Sequence, residues 1–304
     1  MVARDSLRAH HSRMKEGGTR VVAESLMLVM AVAAMASSVI FIRCSGLGPG
    51  EISGWRMALG AFCFLPFVRR DQWSQLQRGA WIRAICAGML LGGHFFTWVM
   101  GARATVAANA TLMVNLVPLV LPFLLLPLAG EKVRARDWAG TLLGFGGVLV
   151  LVGASLGTGG TWRGDLICLG SMVLLALYMA LGRKAASLFP ATAPWLVPVF
   201  AIASLTSFAG EWLRVGSLRL PPPEEWKWIL LILIFPTLLG HGLVARALRY
   251  WRGQVVGVAT GGQFLFAGIY GWFAFGELPG PWFPLGAALI VAGTRVVAGK
   301  RDKV

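Results

Sequence analysis

A chain of 304 residues that is 57% hydrophobic and 13% charged, with mean hydropathy +0.70, carries more apolar surface than one soluble core can hide; its solvent is a lipid bilayer. The net charge of +15 would suit nucleic acid only if it were gathered into one stripe with aromatics. The Lys and Arg residues are instead dispersed between apolar runs, where anionic headgroups meet them, so no nucleic-acid partner is expected. Cys44, Cys63, Cys86 and Cys168 lie in or at the ends of apolar runs without CxxC spacing, which implies neither disulfide nor metal.

The polar residues 1–22 read as an amino-terminal tail. Runs long enough to cross about 30 Å of hydrocarbon, roughly 20 residues each, then fall at 23–44, 51–68, 80–101, 105–129, 136–155, 164–182, 192–213, 227–247, 254–275 and 280–298. These are ten predicted spans, five in each half, followed by a tail at 299–304. The second, ending at Pro66 and Arg69-Arg70, is the shortest.

Charge orients them. Positive residues crowd the amino-terminal tail (Arg4, Arg8, Arg13, Lys15, Arg20) and alternate gaps, at Arg69, Arg70, Arg78 and Arg83, at Lys132, Arg134 and Arg136, at Arg183 and Lys184, at Arg246, Arg249 and Arg252, and at Arg295 to Lys303. The remaining gaps hold few: Arg43, Arg103, Arg163, Arg214, Arg219 and Lys227. By the positive-inside rule both termini are cytoplasmic.

Within this pattern the chain repeats itself. Glu131, Gly140, Leu143 and Gly147 recur as Glu277, Gly286, Leu289 and Gly293, a constant offset of 146. Pro49 matches Pro190 at an offset of 141, and His94 matches His241, each after a Gly, at 147. Five spans per half make the halves enter from opposite sides, an inverted repeat (23–155 and 163–298) with the binding site expected between the two. Lys-Val-Arg-Ala-Arg follows Glu131 but Leu-Pro-Gly-Pro-Trp follows Glu277, as if one turn were adapted to opposite membrane faces.

The Pro118-bearing fourth span, then Gly130-Glu131, then Gly140 to Gly147, repeated as Gly276-Glu277 and Gly286 to Gly293, resembles the EamA-type branch of the drug/metabolite transporter superfamily. The likeness covers nearly all of the chain after residue 20. It implies an all-α integral membrane protein of ten transmembrane helices in two inverted five-helix repeats, exporting small metabolites by alternating access, in a bacterial-type inner membrane. The His-Phe-Phe-x-Trp segment at His94 to Trp98 is most similar to the aromatic amino-acid exporters of that branch.

Polar and aromatic groups at bilayer depth are the candidate site. His94 and Trp98 are four residues apart on the third span, hence on one face, with Phe95 adjacent. Asn109 aligns with Met113, and Asn115 is nearby; Ser37, Ser38 and Tyr178 come from the first and sixth spans, His241, Gln254 and Gln263 from the eighth and ninth. Gathered between the halves, His94, Phe95, Trp98, Asn109, Met113, Tyr178, His241 and Gln263 would line an aromatic-walled cavity suited to a neutral or aromatic amino acid. The bland alternative is hydrogen bonding between helices, worth about 0.6 kcal/mol per group. Gly92-Gly93 and Gly261-Gly262 are candidate hinges, although glycines at four-residue spacing are packing devices first.

Glu131 and Glu277 read as helix-boundary caps. Arg56 reads as snorkelling to the outer surface or pairing with Glu51, with no buried countercharge for a charged cargo. From Leu26 to Ile42 the first span lacks any acid and none lies deep elsewhere, which disfavours carboxylate-coupled antiport of cationic drugs and leaves two modes, a facilitator driven by the substrate gradient or coupling through titration of His94 or His241. No HExxH, GxSxG or P-loop is present, so neither an enzyme nor a cofactor is expected. The expected partners are the small-molecule substrate and the bilayer. Because one chain supplies both halves, a monomer is expected.

Overall fold

The computed structural model describes residues 21–104, 110, 113–153, 162–185, 187–275 and 282–298, and these are helices and short connections without a strand. Five helices are long and apolar enough to cross a membrane: α1 (Val21–Cys44), α3 (Arg78–Ala104), α6 (Trp162–Ala185), α7 (Thr192–Val215) and α8 (Pro223–Tyr250). The shorter ones are α2 (Pro49–Phe64), α4 (Val117–Ala129), α5 (Ala135–Gly153), α9 (Gly253–Gly261), α10 (Gln263–Phe275) and α11 (Phe283–Ala298). At 1.5 Å per residue, the 16 residues of α2 rise only about 24 Å. Its bounds are set locally. Pro49 stands at the first helical position, the Glu51 carboxylate accepts the Gly48 N–H at 2.9 Å, and Pro66 lies two residues past the end.

Three predicted spans are not continuous helices, the first of them carrying a turn at Ser37 within α1. A turn at Asn115 and Leu116 precedes α4, and a turn at Gly262 separates α9 from α10. Shifting Leu116 by the repeat offset of 146 gives Gly262, so the interruption recurs at the same register in both halves. Gly261-Gly262, with the poorest helix propensity after Pro, accounts for the second break. By contrast α3 runs unbroken through Gly92 and Gly93.

The repeated glycines meet. A Cβ on Gly140 would sit 2.6 Å from the Gly293 carbonyl oxygen, and one on Gly147 would sit 2.7 Å from that of Gly286. Gly286 is the repeat counterpart of Gly140, and Gly293 that of Gly147; the two contacts are therefore one contact with the halves exchanged. Elsewhere α2 packs on α7, α3 on both α6 and α7, and α4 on α6 and α9, each largely between halves. Gly88 and Gly92 bring α3 onto the α7 backbone at Val199 and Ala203, while Gly253 and Gly257 of α9 receive Leu125 and Leu121 of α4. Small residues let helices approach where lipid supplies no hydrophobic drive.

Ion pairs tie the halves at the end bearing Glu131. That carboxylate takes Arg183 at 2.7 Å and Arg252 at 3.5 Å and accepts the Gly253 N–H, so it is a bridge between halves as well as a boundary residue. Fully buried Asp137 accepts from Arg252 at 2.8 Å and from the Arg134 N–H at 2.7 Å. Its hydrogen bond, with help from Glu131, holds the Arg252 guanidinium above its ordinary value despite partial burial, so this cation persists at any physiological pH. Glu24 of α1 pairs with Arg246 of α8 at 2.6 Å at the same end.

Candidate functional site

A cavity of about 50 Å³, several times the roughly 10–15 Å³ that admits one water, lies between α1, α2, α3, α6, α8 and α10. From the first half come Ser38, Arg56, His94, Phe95, Trp98 and Asn115; from the second, Leu175, Pro236, His241 and Gln263. Of the residues expected to bind substrate, His94, Phe95, Trp98, His241 and Gln263 are thus brought together. Met113 is half-buried and packs in the cluster that contains Trp98. Tyr178 does not line the cavity; it is buried in the main core, its hydroxyl without a hydrogen-bond partner among the described residues. Asn109 and Glu277 lie outside the described residues.

His94 is held by α6. The Ser171 hydroxyl donates to the His94 carbonyl at 2.9 Å, and His94 Nδ1 stands 3.0 Å from the Ser171 carbonyl oxygen and 2.8 Å from Oγ. With the hydroxyl hydrogen so committed, Nδ1 is assigned as the ring N–H donor, leaving Nε2 as acceptor. The Phe95 ring lies 5.0 Å from that of His94 and meets His241 edge-on at 4.8 Å, a contact that crosses from one half to the other.

His241 arrives there through an irregular stretch of α8. Leu233–His241 is π-helical around Pro236, which has no N–H to give, and the Thr237 hydroxyl donates to the Ile232 carbonyl at 2.8 Å. Such widened turns are rare and gather at functional sites. His241, expected among the cavity residues, stands in the cavity wall, while the irregular helix that brings it there was not expected. Pro236 was the available signal, five residues before the histidine.

Arg56 is the residue that sequence reasoning misjudged. It neither snorkels nor pairs with Glu51, whose carboxylate serves the backbone N–H groups of Gly48 and Arg219 at 2.9 Å each. Its side chain is 2% exposed, its guanidinium carbon lies 3.5 Å over the Phe95 ring centre, and its Nε and Nη2 have no hydrogen-bond partner among the described residues. No carboxylate lines the cavity among the described residues, so the wall carries one cation, four aromatic rings (His94, Phe95, Trp98 and His241) and a few neutral polar groups. Missing it followed from an arginine near the start of a span resembling a residue that reaches the surface.

An apolar helix bundle folded around a mostly apolar internal cavity that carries a few polar groups defines a multi-pass membrane protein. The chain belongs to the EamA-like transporter family, whose model matches it twice, over residues 23–153 and 162–299. It is 24% identical over 278 residues to an uncharacterized transporter of Archaeoglobus fulgidus, covering 88% of this chain and 94% of that one. A solved crystal structure shares the fold at a TM-score of 0.72, with 20% identity, over 90% of this chain and 96% of its own.

Proposed function

We propose that this family member is a secondary transporter that exports small metabolites, foremost neutral or aromatic amino acids, by alternating access around the central cavity. Ten spans in two inverted repeats, 23–155 and 163–298, rock against each other within one monomeric chain of the inner membrane, with the tails 1–22 and 299–304 cytoplasmic. The observation that carries this reading is the cavity itself, whose wall passes from Phe95 of one half to His241 of the other. The exchange-related contacts of Gly140 with Gly293 and of Gly147 with Gly286 support the duplication, as do the matched interruptions at Leu116 and Gly262.

Facilitated transport driven by the substrate's own gradient is the first reading, because no acid lines the described cavity to carry a proton against a cationic drug; the second is coupling through titration of His94 or His241, which line the same cavity, and the pH-gradient arm of the test separates the two. The test is flux of Phe, Trp, Tyr, Thr and a cationic dye in liposomes, with and without a pH gradient. Aromatic flux that saturates, survives collapse of the gradient and falls in His94→Ala is expected. Dye movement that requires the gradient overturns this in favour of a proton-coupled multidrug exporter.

A further inference from the structure

We propose that Arg56 is the anchor for the carboxylate of the transported solute, so that the cargo class is an organic acid or amino acid carrying a free carboxylate beside a flat apolar body. This deepens the transport reading and rests on it for the word transported, though not for binding.

A guanidinium at bilayer depth is expensive, and the buried carboxylates Glu24, Asp137 and Glu211 of this protein each pair with an arginine. The side-on grip such a pair can make is seen twice, once on the exposed surface and once at a buried carboxylate. Arg69 grips Asp71 side-on, Nε to one oxygen at 3.2 Å and Nη2 to the other at 2.9 Å. Arg246 grips Glu24 in the same way, from Nε at 3.3 Å and Nη2 at 2.6 Å. Arg56 presents the same two atoms with nothing on them. Nε and Nη2 are one edge of the guanidinium, whose parallel N–H groups match the two oxygens of a carboxylate.

The group is positioned. Its flat face is stacked on Phe95, which is wedged between His94 and His241, so the edge is presented in a fixed plane. Stacking on a ring satisfies charge but uses no N–H. A solute placing its carboxylate on this edge has Trp98 and Phe95 for its apolar body and His94 Nε2 as an acceptor for an ammonium. A cationic amine without a carboxylate meets repulsion from Arg56 and no countercharge among the described lining residues.

The test uses purified full-length protein in nanodiscs in a buffer of low chloride, with three probes that share a phenyl group and chain length: 3-phenylpropionate, its amide and phenethylamine. Binding is read as ligand-induced thermal stabilisation and as a change of tryptophan fluorescence. The acid is expected to bind wild type at least tenfold more tightly than either neutral or cationic probe. Arg56→Gln is expected to erase that preference, and Arg56→Lys to keep only part of it, because an ammonium lacks the fork. Without ligand, Arg56→Gln should melt no lower than wild type, since it removes an unpaired buried charge; elution as a single peak checks its fold. Equal binding of acid and amide, undiminished acid binding by Arg56→Gln, or no acid binding to wild type each overturns the proposal. Acid binding through Arg56 with no flux of any solute leaves the anchor standing and removes the transport reading. Saturable flux of amino acids unchanged in Arg56→Gln does the reverse.

Discussion

Asp137 and Tyr178 make opposite predictions from one rule, that a buried polar group is stable only in company. Asp137 is fully buried and faces Arg252, itself largely buried. Asp137→Asn removes the closer of the two carboxylates that hold that cation and leaves it the longer contact with Glu131; breaking a buried pair outright costs about 3–5 kcal/mol, and a clear fall in melting temperature in detergent, smaller than that full cost, is expected. Tyr178 keeps its hydroxyl in the core with no partner among the described residues. Tyr178→Phe should therefore leave the melting temperature unchanged or raise it, by an amount corresponding to at most about 1 kcal/mol. A fall of several degrees would reveal a hydroxyl contact outside the described residues.

At the scale of elements, two kinds of glycine separate. Gly140 and Gly293 are contact glycines, because a side chain on either meets backbone of the facing helix. Gly140→Leu is expected to cost at least the 1–3 kcal/mol typical of overpacking, read as loss of the monodisperse peak on gel filtration. Gly262 is a turn between α9 and α10 in a backbone conformation any residue can adopt, with φ −66° and ψ −3°. Gly262→Ala should slow turnover several-fold while changing half-saturation little, if the break is where one half moves. Gly170, with open space around its Cα, is the control, and Gly170→Ala should do neither.

The repeat and the apolar spans were legible in the sequence because both are periodic signals, and glycine spacing carried over directly into the α5 with α11 contact. The breaks at Leu116 and Gly262 were not, since an apolar run reads the same whether one helix or two fill it. The site was half legible. His94, Phe95 and Trp98 share a helix face, which spacing reveals, whereas His241 depends on a π-helical detour and Arg56 on the depth of α2, both set by packing partners far away in sequence.

Taken as a whole, the molecule is latched at the end bearing Glu131, where Arg183 and Arg252 of the second half hold a carboxylate of the first. In the proposed alternating-access cycle, opening that end requires these pairs to part. Glu131→Gln, which keeps the shape and weakens both pairs, should shift the protein toward the state open at that end. The readout is faster alkylation of a single cysteine placed at Ala267 of the cavity wall, in a background lacking the four native cysteines; an unchanged rate would mean that the network does not gate.

The central claim is that solute crosses by alternate exposure of one cavity between two halves, and counterflow in liposomes tests it most directly. Unlabelled phenylalanine loaded inside should accelerate entry of labelled phenylalanine above the rate into empty liposomes, and the acceleration should saturate. Entry that rises linearly with concentration and ignores the internal solute would mean a pore, and the carrier account would be wrong.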